Sequence, residues 1–298
     1  MRAMETREED FVEQIFIANN HADVLFFSDK GRAYFKKVYE IPEATRTSRG
    51  RAIVNFVGME PGDRVASIVP IRKFNENDDL VTCSKRGLVK RSSLSAYATN
   101  RSAGVIGVGI APGDELLSAA VANESQQVIL GTTQGMSIRF DVSEVRRMGR
   151  EARGVRGIEL REGDVVVGMG IIEDQAQQVL SISANGYGKR TPVNEWRVQG
   201  RGGIGVIAMD LSERNGAMVN LYLVRLDHEI MVITDAGQLI RTAVSEIREV
   251  SRNTQGVRVI RLAGNEHVVD VAPLAERDED PGNGSCPPPD TTPPPACA

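Results

Sequence analysis

The sequence predicts an all-β fold, a ring of blades built from short strands. Three observations carry this reading: a repeat of about fifty residues, a buried-strand pattern inside each repeat, and a glycine turn at the same place in every one. The repeats are marked by VLFFSDKGRAYFKK from Val24, LVTCSKRGLVKR from Leu80, VILGTTQGMSIR from Val128, VLSISANGYGKR from Val179 and IMVITDAGQLIR from Ile230. Their turn glycines are Gly31, Gly87, Gly135, Gly186 and Gly237, spaced 56, 48, 51 and 51 apart.

Within each repeat the elements follow in order. An apolar run of four or five Val/Ile/Leu-rich residues has the length of a buried strand rather than a helix. A polar pair and a glycine then make a hairpin turn, because glycine tolerates the positive φ such a turn needs. The second strand ends in a base: Lys36, Arg91, Arg139, Arg190 or Arg241. A further strand is expected before each hairpin, over residues 11–19, 64–71, 115–122, 165–172 and 218–224. A fourth is expected after a loop, over 52–57, 105–110, 155–160, 204–209 and 257–262. Four short strands per repeat are the mark of a propeller-like ring whose core lies between blades. Whether the first and fourth strands pair within one blade or are shared with a neighbour is open at this level. The run 268–274 reads as the opening strand of a sixth unit that does not continue.

The expected organisation is a disordered end over residues 1–9, the ring over 10–274, and a disordered acidic, proline-rich tail over 275–298. The chain carries 36 Lys+Arg and 40 Asp+Glu, a net charge of −4. The tail holds five acids and one base, which leaves residues 1–274 neutral with 35 of each sign. The acidic balance therefore says nothing against a nucleic-acid partner. A hydrophobic content of 41% supports a packed core. No apolar block suggests a membrane span or a signal peptide, and three cysteines make no disulfide framework. A cytoplasmic protein is the expectation.

Catalytic chemistry finds little support. His21, His228 and His267 share no spacing, no ligand cluster suggests a metal, and Cys83 lies inside an apolar run as a small core residue would. The stretch 200–205 is not a dinucleotide fingerprint, because no helix follows it. No catalytic residue, metal or cofactor is expected in this chain.

The loops between third and fourth strands are more informative, since each carries Arg and Gly: 46–51, 99–104, 146–157, 197–203 and 248–258. Glycine lets backbone approach a phosphate, and guanidinium supplies charge-assisted hydrogen bonds. Equivalent loops of a ring lie at one level of its rim, so their charges trace an arc. With few aromatic residues interleaved, the arc suits duplex backbone rather than stacked single strands. The expected contacts are the loop residues Arg46, Arg49, Arg51, Arg101, Arg146, Arg147, Arg150, Arg153, Arg156, Arg201, Arg252 and Arg258, with Arg91, Arg139, Lys189, Arg190 and Arg241 from the hairpins. Ordinary solvated charge on a protein-interaction propeller is the competing reading. Of the 36 bases 29 are Arg, which fits phosphate recognition and equally a GC-rich coding sequence.

The stretches 38–55, 154–160, 185–191 and 233–257 closely resemble the C-terminal domain of the DNA gyrase A subunit, and the likeness runs from about residue 8 to about 274. The resemblance implies a six-bladed β-pinwheel, with five repeats and a closing strand here and an incomplete N-terminal blade. It further implies a basic perimeter that wraps double-stranded DNA in support of ATP-dependent negative supercoiling. The partners would be gyrase B and the N-terminal domain of gyrase A, with ATP and Mg used elsewhere in that complex and the catalytic tyrosine outside this chain. The matching domain of topoisomerase IV is the alternative. The family's box, Q-R-R-G-G-K-G, is echoed only by Gln199–Gly205, which keeps five of seven positions and lacks one Arg and the Lys. Weak wrapping is therefore expected of this chain alone.

Overall fold

The computed structural model describes residues 18–43 and 52–274, apart from 72, 76, 100, 102 and 265. In chain order the elements are β1 (Asp23–Ser28), β2 (Arg32–Lys37), a helical turn α1 (Ile53–Val57), β3 (Val65–Ile71), β4 (Asp79–Ser84), β5 (Leu88–Ser93), β6 (Val105–Ile106) and β7 (Leu116–Ala122). They continue with β8 (Gln127–Thr132), β9 (Met136–Asp141), β10 (Val155–Arg156), β11 (Val166–Ile172), β12 (Gln178–Ser183) and β13 (Tyr187–Pro192). The last are β14 (Val206–Ile207), β15 (Met218–Val224), β16 (Glu229–Thr234), β17 (Leu239–Ala243), β18 (Val257–Arg258) and β19 (Val268–Leu274).

These strands form five antiparallel sheets, and the pairing settles how strands are shared. The orders are β3-β1-β2-β6, β10-β5-β4-β7, β11-β8-β9-β14, β15-β12-β13-β18 and β17-β16-β19. Each blade is one hairpin plus the long strand that follows it, so the strand expected to open a repeat in fact completes the preceding blade. The outer edges of the first four blades then gain a two-residue strand from the next repeat: β6 on β2, β10 on β5, β14 on β9 and β18 on β13. Hence 268–274 is the inner strand of the fifth blade, not the start of a sixth. The first described sheet has four strands and the last has three. The strand expected over 11–19 falls almost wholly outside the described residues, as do the ends 1–9 and 275–298.

One expected strand is helical instead. Residues 52–57 occupy the chain position from which later repeats extend a strand onto the preceding blade. Among the described residues no hairpin precedes β1, so this segment has no edge to join. Its backbone bonds to itself in one turn, ended by Gly58 at φ +79°, whose N–H donates to Val54 O. Phe56 then packs edge-on against Phe26, with ring centroids 6.3 Å apart.

The core lies between blades. Val81 and Val89 of the second blade pack with Leu130, Ile138 and Phe140 of the third. Ile129 of the third packs with Val179, Tyr187 and Trp196 around the fourth. A backbone bond staples each blade to the next at one repeated place: Leu116 N–H to Asp29 O, Val166 to Lys85, Met218 to Thr133 and Val268 to Ala184, at 2.8–3.0 Å. Every long inner strand carries a bulge opposite the end of its hairpin partner. The inner strands of all five blades line one channel of about 600 Å³, faced by Ser67, Leu117, Val167, Asn220 and Asp270.

Two glycines show where the exchange demands this residue. Gly205 has φ +80°, and a Cβ there would lie 2.1 Å from Ser137 O of the preceding blade. Gly163 has φ +71° with nothing within 4 Å. Gly163→Ala should cost only the left-handed backbone penalty, about 1–2 kcal/mol. Gly205→Ala should cost about 1–3 kcal/mol more, because the exchanged strand must move. Equal losses in denaturant melts would show that close approach is not what Gly205 serves.

Candidate nucleic-acid interface

The arginine loops lie on the outer side of the preceding blade, and buried bases hold them there. In the second blade Lys90 is fully buried, and its Nζ donates to Gly107 O and Arg150 O, each at 2.6 Å, and to Tyr97 Oη at 3.2 Å. Arg91 bonds Asp79 through Nε at 2.5 Å, while Arg147 of the loop reaches the other Asp79 oxygen at 2.7 Å. The Met148 N–H donates to Arg91 O at 2.8 Å. Loop 146–157 is thus pinned by one ammonium, one shared carboxylate and its own backbone.

The fourth blade repeats the device. Lys189 Nζ donates to the carbonyls of Ser251 and Thr254, each at 3.0 Å, and to that of Arg252. Arg190 donates to Ile247 O and Gln178 Oε1. In the third blade Ile138 takes the lysine's place. There Arg139 donates to Val193 O at 2.8 Å, Trp196 O at 3.0 Å and Gln127 Oε1. Trp196 is 1% exposed and its indole donates to Ser137 Oγ at 2.6 Å.

Four of the expected contacts, Arg91, Arg139, Lys189 and Arg190, are therefore interior and not on the rim. Their charge is directed at carbonyls and acids that shape the loops. The hairpin pattern that singled them out is a packing pattern, since β5, β9 and β13 are buried on both faces and their bases meet neighbouring loops on either side. Lys90 has the same role and was not among the expected residues; its place three residues after a turn glycine, like that of Lys189, is the signal for it.

The rest of the set divides by exposure. Arg101, Arg146, Arg147, Arg153, Arg156, Arg241 and Arg258 are exposed, and Arg150, Arg201 and Arg252 are half-buried. Arg241 is held by Glu229. Arg46, Arg49 and Arg51 lie outside the described residues. A finer periodicity joins Arg101, Arg150, Arg201 and Arg252, spaced 49, 51 and 51 apart. At the last two the geometry is the same. Arg201 N–H donates to Glu144 Oε2 at 2.8 Å and its NH1 to Arg156 O at 3.1 Å. Arg252 N–H donates to Glu195 Oε2 at 2.7 Å and its NH1 to Ile207 O. Arg201 and Arg252 each tie their loop to the one before it, so the loops of the third, fourth and fifth repeats are connected.

This repeated arrangement can be compared directly with known proteins. A model of the DNA gyrase C-terminal domain, beta-propeller, matches residues 22–72, 78–123, 126–173, 177–225 and 228–275. The chain belongs to this family. The five matched gyrase repeats coincide with the blades, each running from the first hairpin strand to the inner strand. The DNA gyrase A subunit of Salmonella typhimurium is 43% identical over 278 residues, covering 93% of this chain and 32% of that protein. That of Escherichia coli K12 is 42% identical over 274 residues, covering 92% and 31%. The chain spans about a third of the length of these gyrase subunits. Among solved structures, a DNA gyrase A C-terminal domain matches with a TM-score of 0.75 at 24% identity, covering 87% of this chain and 84% of that one. The C-terminal domain of a DNA topoisomerase IV matches with a TM-score of 0.77 at 23% identity, covering 86% and 80%. Both likenesses concern the fold.

Burial, with the Arg150 charge adding to it, pushes the Lys90 ammonium down to about 7; burial likewise pushes Lys189 to about 8. An unfolded lysine titrates near ~10.4. Across the window between, the unfolded chain binds more protons, so these groups make stability rise with pH from about 7 and lose that contribution as pH falls. The melting midpoint should rise between about pH 7 and about pH 8.5. A Lys90→Met, Lys189→Met double variant should flatten that rise and lower the midpoint, because the loop carbonyls lose donors worth about 1–3 kcal/mol each. An unchanged pH profile would show that neither ammonium is desolvated.

Proposed function

We propose that this chain is the DNA-wrapping region of a gyrase A subunit, binding duplex through the arginine loops. The observation that carries this reading is the repeated presentation of Arg-bearing loops on successive blades, with the loops of the third, fourth and fifth repeats braced from behind by the buried bases Lys90 and Arg91, Arg139, and Lys189 and Arg190. Arg101, Arg146, Arg150, Arg153, Arg156, Arg201, Arg252 and Arg258 are the proposed phosphate contacts. Arg147 contributes in part, since Asp79 already engages it, and so does Arg241 beside Glu229. Arg46, Arg49 and Arg51 are proposed from their place in the first loop.

Contacts of this kind position a duplex without reading its bases. Bending it along a curved rim costs several kcal/mol, offset by the added phosphate contacts. In the assembled enzyme the bound segment would be delivered to the DNA gate formed by the rest of gyrase A, with gyrase B supplying ATP-driven strand passage. Identities of about 40% to gyrase A proteins favour this over a topoisomerase IV role. Among the described residues no helix is long and apolar enough to cross a membrane, and we place the protein with chromosomal DNA in the bacterial cytoplasm.

Affinity for a duplex should fall by about 0.9 log units per log unit of salt for each phosphate neutralised. A flat response in an anisotropy titration would favour a protein-interaction propeller. The triple change Arg146→Ala, Arg150→Ala, Arg153→Ala should weaken binding alike on unrelated sequences and lower the slope by about 3. Loss on one sequence only would contradict backbone recognition.

A further inference from the structure

One pocket on the fourth blade departs from the repeat. It has a volume of about 430 Å³ and is lined by Tyr187, Arg214, Arg258, Val259, Ile260 and Arg261. Tyr187 opens β13 and is directly paired with Arg258 of β18. The Arg258 NH2 donates to Tyr187 Oη at 3.1 Å, and its Cζ lies 5.6 Å from the ring centroid. The Arg214 Cζ lies 4.8 Å from the same centroid. These two guanidiniums, Arg214 foremost, hold the Tyr187 phenol below its ordinary range.

The backbone around the pocket is fixed. Asn185 Nδ2 donates to Glu213 O at 3.1 Å and Arg214 O at 3.2 Å, and Asn215 Nδ2 donates to Asp210 O at 2.9 Å. The N–H groups of Val259 and Ile260 both donate to Gly186 O. Two guanidiniums therefore converge on the Tyr187 ring from braced elements, and Arg261 lines the same pocket. Among the described residues none of the three forms an ion pair, whereas Arg32, Arg64, Arg91, Arg147, Arg190, Arg225 and Arg241 each meet a carboxylate.

The repeat itself supplies the comparison. Fifty-one residues earlier the same places hold Met136, Gly163, Ile207 and Asp210, and in the second blade Arg261 is matched by Glu159. Tyrosine and three arginines together occur only here, and at the place of Arg261 the acid of the second and third blades is replaced by a base. Convergent cations without a counter-charge are costly to assemble and are suited to an anion with several oxygens. The Tyr187 ring is 5% exposed and carries two guanidiniums, so it offers no face to a stacking base. That selects phosphate over nucleobase.

We propose that Tyr187, Arg214, Arg258 and Arg261 form a phosphate subsite that seats a backbone phosphodiester of the duplex. It would give an otherwise repetitive rim one anchoring point. The proposal rests on the DNA-wrapping reading, and two measurements separate them. The probes are inorganic pyrophosphate at matched ionic strength, read by thermal melting without DNA, and a duplex read by anisotropy. The variant Arg214→Gln, Arg261→Gln removes exposed groups and should melt like the parent without pyrophosphate. Pyrophosphate should raise the melting midpoint of the parent and not of the variant. Duplex affinity should fall about tenfold, with the salt slope lower by about 2. Unchanged duplex affinity in the variant, with or without a lost pyrophosphate response, would overturn the anchor. A weakened duplex with no pyrophosphate response in the parent would reduce it to diffuse rim charge and also overturn it. A parent that responds to pyrophosphate but binds no duplex would instead overturn the wrapping reading.

Discussion

Among the described residues, four of the five blades are finished by a neighbour. A hairpin and its following strand make three strands, and the outer edge is closed by two residues taken from the next repeat. An open edge leaves unpaired N–H and C=O groups, so the exchange joins local pairing to global assembly. It also explains the glycines before the exchanged strands, since the incoming backbone must touch the strand it joins. The fifth blade, which gains no such strand among the described residues, has an outer strand that is only half-buried where β5, β9 and β13 are interior.

The same constraint shapes the candidate interface. Because an exchanged strand is the end of an arginine loop, closing one blade also presents the charge of the next repeat on its outer side. The loop carbonyls that face inward need donors, and Lys90, Lys189, Arg139 and Arg190 supply them from the interior. Basic residues thus take two roles at nearby positions. Interior ones set loop shape through carbonyls and acids, while exterior ones such as Arg146, Arg153 and Arg156 are exposed to solvent. Removing an interior base would leave carbonyls unsatisfied, a structural loss that could be mistaken for a lost DNA contact.

Much of this was legible beforehand. The period, the turn glycines, the all-β class and the core between blades follow from local pattern, because strand periodicity and turn chemistry are properties of short segments. Arg101, Arg146, Arg153 and Arg156 were readable as exposed because they sit in polar, glycine-bearing loops. The inward direction of Arg91, Arg139, Lys189 and Arg190 was not, since a base on a strand looks the same whether it meets water or a neighbour's carbonyls. Residues 52–57 misled for a related reason: their composition suits a strand, but a strand needs an edge, and edges belong to the assembly. The pocket around Tyr187 draws Arg214 from a different loop than Arg258 and Arg261, so no single motif contains it.

The sequence by itself determined the repeat, its hairpins and the family to which they belong. Tertiary structure decided which strands form one blade, where 268–274 belongs, and which bases face outward. The division has a physical cause. Propensity and periodicity act over a few residues, whereas strand partners and the burial of a charge are set by contacts between segments about fifty residues apart.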